Sequence, residues 1–149
     1  MTKRRSVNAL DRVGPRFFRH VSSLARATEL TPRPLSPHVK RTRERIGKTE
    51  ALFRNVNEGI REASERLESD VGDFICECGD STCTEHIRVP LEEYERVREH
   101  PTHFVVRPGH VKGPIERVVG QGRHYSVIEK LDRVIVRIAR RLNPRPETT

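Results

Sequence analysis

Phe74-Ile75-Cys76-Glu77-Cys78-Gly79-Asp80-Ser81-Thr82-Cys83-Thr84-Glu85-His86 is the stretch that decides the fold. All three cysteines of the 149-residue chain fall within its eight residues 76–83. In an extended segment, side chains at i and i+2 point the same way, so Cys76 and Cys78 share a face. Gly79-Asp80-Ser81-Thr82 is turn chemistry, able to bring Cys83 back to the same point. Zinc prefers thiolate and imidazole ligands in a tetrahedron, with Zn–S near about 2.3 Å. The pattern therefore reads as a structural Zn2+ site built on Cys76, Cys78 and Cys83 with a histidine as fourth ligand. A Cys76–Cys78 disulfide would close a small, strained ring. Cys83 could pair with either more easily, but a reducing cytoplasm opposes that. Three buried, inert thiols are the bland alternative.

Two histidines are candidates for the fourth position. His86 completes a compact C-x-C-x4-C-x-x-H. His110 follows a strand and a Pro-Gly turn and could close the site across a sheet, tying distant pieces of chain together. His103 starts that strand, further from the turn, and His100 and His124 read as exposed.

Outward from this stretch, residues 46–68 carry a helical period. Phe53, Val56, Ile60, Ala63 and Leu67 recur at spacings of 3 and 4 and form one stripe, expected to face a core. Arg54, Arg61, Glu62, Glu65 and Arg66 lie off that stripe. Ile87 and Val89 alternate with Arg88 as a half-buried strand. Pro90 sits where a helix can begin, and Leu91, Tyr94 and Val97 share one face of a helix that Pro101 ends. Phe104-Val105-Val106 reads as a strand leading into the Pro108-Gly109 turn. Residues 116–119 and 125–129 read as two further short strands. Residues 127–142 suggest a last helix with Val127, Leu131, Val134, Ile138 and Leu142 on one stripe, overlapping the strand before it. The expected fold is a small, zinc-stabilised α+β domain. It has a short, mostly antiparallel sheet and two to three helices.

The domain plan is a basic, mostly disordered arm over 1–44, a zinc-binding α+β domain over 45–142, and a tail over 143–149. Apolar residues make up 34% and aromatics 5% of the chain, so the core is small and gains from a metal. The net charge of +8 is unevenly spread. Residues 1–48 hold 13 Lys/Arg against 3 Asp/Glu, whereas residues 49–149 hold 16 against 18. Lys3, Arg4, Arg5, Lys40, Arg41, Arg43 and Arg45 are the candidate nucleic-acid contacts of the arm, which can equally be a solubilising leader. No stretch approaches the roughly 20 apolar residues of a membrane span, and no signal-length apolar run follows the basic residues 3–5. An Arg-rich, acid-poor transit peptide is a minor alternative. Cysteine usage points to the cytoplasm.

The ordered pieces Arg54-Asn55-Val56-Asn57-Glu58, Phe74 to Asp80, Cys83-Thr84-Glu85 and Leu91 to Arg98 carry a resemblance. So do Pro101 to Val106, Pro108-Gly109-His110, Glu116 to Val119 and Tyr125 to Lys130. From Phe53 to Lys130 the chain resembles a set of small uncharacterised cysteine-rich proteins of actinobacteria and related bacteria. The resemblance implies a Pro-Gly-His element in which His110, rather than His86, is the fixed member. It implies no activity and does not reach residues 1–44 or 131–149.

Three thiolates and one histidine would fill the coordination sphere and weaken the ion as a Lewis acid. Glu77 and Glu85 read as solvated carboxylates rather than general bases. The deaminase, H-E-x-x-H, P-loop, Rossmann and nucleophile-elbow signatures are missing. The expectation is a non-catalytic zinc-binding module of the bacterial cytoplasm that engages a protein or nucleic acid. A thiol redox sensor, or a nucleic-acid binder acting through the arm, is the alternative.

Overall fold

Ser36-Pro37 starts the first element of the fold. In the computed structural model, which describes residues 33–145, Ser36 Oγ accepts from the Val39 N–H and Pro37 occupies the first turn of α1 (Pro37–Arg66). The helix thus begins inside the segment expected to be an arm up to residue 44, because a Ser-Pro pair caps it. The readings made for residues 1–32, including those of Lys3, Arg4 and Arg5, lie outside the described residues.

Two short strands follow, β1 (Val71–Ile75) and β2 (His86–Pro90), paired antiparallel with Phe74 opposite Ile87. Ile87 and Val89 are buried while Arg88 is exposed, as the alternation requires. Helix α2 (Leu91–Arg98) starts directly after Pro90 and buries Tyr94 and Val97. A second antiparallel sheet then forms from β3 (His103–Val106), β4 (Glu116–Gln121) and β5 (Ser126–Lys130), in the order β3-β5-β4. A bulge lies between Val118 and Gly120. Helix α3 (Arg133–Arg141) closes the described chain. The molecule is α+β with two small antiparallel sheets rather than the single sheet expected.

The helix–strand overlap at 126–130 resolves as strand. Ser126, Ile128 and Lys130 alternate inward along β5, and the Asp132 carboxylate then caps α3 by accepting from the Val134 and Ile135 N–H groups. The buried face of α3 is Ile135, Ile138 and Ala139; Leu131 and Leu142 are exposed. The stripe expected through Val127 and Leu131 therefore does not form.

The apolar core gathers Phe74, Ile87, Val89, Tyr94, Val97, Phe104, Val106 and Ile128. The Phe74 and Tyr94 rings stack at 4.1 Å. Helix α1 meets this core only in part with the apolar stripe read from sequence: Ile60 packs against it, and Phe53 and Ala63 are half-buried. Val56 and Leu67 are exposed, and the buried face is instead Gly47, Glu50, Ala51, Arg54 and Asn57. Tertiary partners reverse the expected order of burial, because each polar side chain on that face finds one.

One group of partners is an ion triad at the back of the sheet. Lys130 Nζ lies 2.7 Å from Glu50 Oε1 and 2.5 Å from Glu116 Oε2, with all three side chains fully buried. Burial pushes the Glu50 carboxyl up to about 7, against the pull of Lys130. One cation serves two carboxylates, so a neutral Glu50 balances the triad.

A carboxyl whose folded pKa lies above its unfolded value stabilises the fold at low pH. For Glu50 that contribution is full below about 4.5 and is lost as pH rises through about 7. Glu50→Gln keeps the shape and removes the titration. Over this window the metal-loaded wild type should lose on the order of 2–3 kcal/mol of stability relative to Glu50→Gln, read from denaturant midpoints. A constant difference across the window would show that Glu50 does not titrate there.

Candidate metal centre

The site begins where β1 ends. The chain stays extended through Cys76, whose N–H donates to the Glu85 carbonyl, and Glu77, whose N–H donates to the Val105 carbonyl. The C-x-C segment thereby links the first sheet to β3 of the second. Cys76 and Cys78 share one face of this segment, and Glu77 faces the other way, into the interior.

Gly79 then turns the chain with φ +70°, a conformation costly for any residue with a Cβ. A Cβ at this position would also come within 2.5 Å of Glu50 Oε1. Asp80 fixes the rest of the turn. Its Oδ1 accepts from the Thr82 N–H and hydroxyl, and its carbonyl accepts from the Cys83 N–H. These bonds hold the Asp80 carboxyl below its usual range. Lys112 Nζ donates to the Cys78 carbonyl at 2.7 Å.

His110 arrives from the opposite side. Leaving β3, the chain reverses at Arg107–His110, with the His110 N–H donating to the Arg107 carbonyl and Gly109 at φ +89°. The ligand atoms of Cys76, Cys78, Cys83 and His110 all lie within 4.8 Å of one another. His110 Nδ1 lies 3.6 Å from both Cys76 Sγ and Cys83 Sγ. A tetrahedral ion with metal–sulfur bonds of about 2.3 Å and metal–nitrogen bonds of about 2.0 Å sets that separation at about 3.5 Å. The four residues could bind a metal ion.

His86 stands outside this group. It is exposed and faces Asp73, with Nδ1 3.6 Å from the carboxylate. Its position at the start of β2 turns it away from the cysteine face, because the inward positions there are Ile87 and Val89. The compact motif that makes it a candidate ignores this alternation.

The electrostatics of the sulfurs also fit a cation. Burial, reinforced by the neighbouring thiols, pushes the Cys76 thiol far up; burial also raises Cys78. Left alone, these sulfurs stay protonated. A bound cation reverses that balance and deprotonates its thiol ligands. One backbone donor already points at the sulfurs: the Arg107 N–H reaches Cys76 Sγ at 3.2 Å.

Behind the site, Glu77 is fully buried, not solvated as its sequence context suggests. Its Oε1 accepts from Asn57 Nδ2 and its Oε2 from the Val105 N–H, each at 3.0 Å. Asn57 also brackets Ile75, accepting from its N–H and donating to its carbonyl, both at 2.9 Å. Arg54, buried on the same face of α1, lies 3.5 Å over the Phe104 ring and donates to the Pro101 and His103 carbonyls. Burial lowers its pKa to about 10, and the Glu77 charge opposes that shift. The carboxylate in the middle of C-x-C thus positions the metal loop and has no access to a substrate. Glu85 is half-buried and pairs with Arg107.

Of the residues read as nucleic-acid contacts, Lys40, Arg41 and Arg45 are exposed on α1, and Arg43 pairs with Asp132 at 3.4 Å. No family profile, curated protein or solved structure matches the chain.

Glu77→Ala should cost about 3 kcal/mol, because it strands buried donors on Asn57 and Val105 and an uncompensated Arg54. His86→Ala should stay within about 0.5 kcal/mol. Denaturant unfolding of the metal-loaded proteins checks both. A Glu77→Ala loss below about 1 kcal/mol would remove the carboxylate from the support of the site.

Proposed function

We propose that the protein is a zinc-clamped, non-catalytic interaction module. One observation carries this reading: three thiols and one imidazole converge from opposite sides of the fold, with their ligand atoms within 4.8 Å of one another. Soft sulfur with one nitrogen favours zinc over hard cations. Four protein ligands fill the tetrahedron and leave no place for a reactive water, which is the pattern of a structural ion rather than a catalytic one. Cys76 and Cys78 would anchor the ion to the end of β1, Cys83 to the return turn, and His110 to the loop after β3. The ion would then hold together segments more than 25 residues apart in sequence, in a domain whose apolar core is small.

The remaining chemistry near the centre supports the same reading. Glu77 is consumed in support, Glu85 pairs with Arg107, and Asp80 is tied into its own turn. The order of motifs from Phe53 to Lys130 supports placing the chain with the small cysteine-rich bacterial proteins it resembles. Among the described residues, no helix is long and apolar enough to cross a membrane. What the module offers a partner is therefore its surface.

Purified under reducing conditions, the full chain should carry one zinc. Cys78→Ser and His110→Ala should lose it, and His86→Ala should keep it. Complete removal by a chelator should abolish the cooperative melt, because binding and folding share one free energy, on the order of 10 kcal/mol in small zinc domains. A melting curve unchanged after zinc removal would overturn the clamp.

A further inference from the structure

Among the described residues, the excess of basic charge is concentrated on one pair of helices. Residues 133–141 carry four arginines and no acid, within a stretch (49–149) where acids outnumber Lys/Arg by 18 to 16. Arg133, Arg137, Arg140 and Arg141 are all exposed, and none has an acidic partner among the described residues. They recur at spacings of 3 and 4 on α3, so they form a row.

Helix α1 supplies a second row. Arg41, Arg45 and Lys48 are exposed at the same spacing, with Lys40 beside them. The two helices pack directly: a Cβ at Gly47 would sit 3.2 Å from Ile138, and Arg43 pairs with Asp132. That pairing, with Glu44 half-buried, leaves little exposed acid between the rows.

We propose that this α1–α3 face binds the phosphate backbone of duplex nucleic acid without reading its sequence. The inference names the partner of the interaction module and rests on that reading. Three features favour a duplex backbone. Guanidinium groups pair bidentately with phosphate oxygens and suit repeated phosphates. Neither residues 37–48 nor α3 contains Phe, Tyr or Trp, so the face offers single-stranded bases no stacking platform. On α3, Ile135, Ile138 and Ala139 are buried and Val134 and Val136 half-buried, so the helix has no fully exposed apolar face to insert into a bilayer.

Fluorescence anisotropy of a labelled DNA duplex tests this with the full, zinc-loaded chain across a salt series. The paired variant Arg137→Gln/Arg141→Gln should weaken binding about tenfold or more at about 50 mM salt. It should also reduce the slope of log affinity on log salt by about 0.9 for each phosphate that is no longer neutralised. Arg133→Gln/Arg140→Gln should do the same independently. Arg88→Gln/Arg123→Gln removes the same charge from exposed positions elsewhere and should leave the slope unchanged. Zinc content, unchanged in all three, separates a failure here from a failure of the metal clamp. Equal losses in all three variants would reduce the effect to net charge and overturn the proposal. So would α3 variants that bind like wild type, or a chain that binds anionic vesicles and no duplex.

Discussion

A carboxylate between two sulfurs of the candidate metal site constrains everything around it. In an extended C-x-C segment, two sulfurs on one face force the middle side chain onto the other. Here that other face is the interior, and the middle residue is Glu77. A buried carboxylate needs compensation, since an unpaired charge in the interior costs several kcal/mol. Asn57, the Val105 N–H and the nearby Arg54 supply it. That requirement explains why α1 presents polar residues inward and why β3 lies against the metal loop. Putting the sulfurs in place and joining the two sheets are the same structural event.

The same helix supports the loop from a second side. Glu50 lies against the Gly79 turn and shares Lys130 with Glu116, while the Lys112 N–H donates to Glu116 and its ammonium holds the Cys78 carbonyl. Ion groups of this kind add little net stability compared with apolar packing, but breaking one partner is costly. Their effect is to fix one arrangement of α1, the loop and β5. Surface pairs such as Arg107–Glu85 and Arg96–Glu93 contribute far less. The four candidate ligands thus have contacts behind them that fix their arrangement in the folded domain, and a bound ion would supply free energy that the small apolar core lacks.

Much of this was legible in sequence where local chemistry decides structure. The Ile87/Val89 alternation, Pro90 before a helix, the Pro108-Gly109 turn and the convergence of Cys76, Cys78 and Cys83 all follow from short-range rules. The α1 face was legible only in part, at Ile60, because apolar periodicity assumes that polar residues face water. Arg54 and Asn57 contradict that through partners at Ile75, Glu77, Pro101 and His103, up to 49 residues away. A signal existed in the spacing of Glu50, Arg54 and Asn57 at i, i+4 and i+7, which marks one helical face. The start of α3 was hidden because Val127 and Leu131 fit a helical period as well as a strand edge; the Asp132 cap settles it. Spacing left His86 and His110 both open; the residue-level signal for His110 was its place after a strand and a Pro-Gly turn, from which it can close the site across a sheet.

X-ray absorption at the metal edge of the purified, reduced protein tests the central claim most directly, because it counts ligands by element and distance. The account predicts zinc with three sulfurs at about 2.3 Å and one nitrogen at about 2.0 Å, and no further oxygen. A first shell with two sulfurs and a water oxygen would contradict it, by opening the site and detaching at least one of Cys76, Cys78 and Cys83 from the clamp.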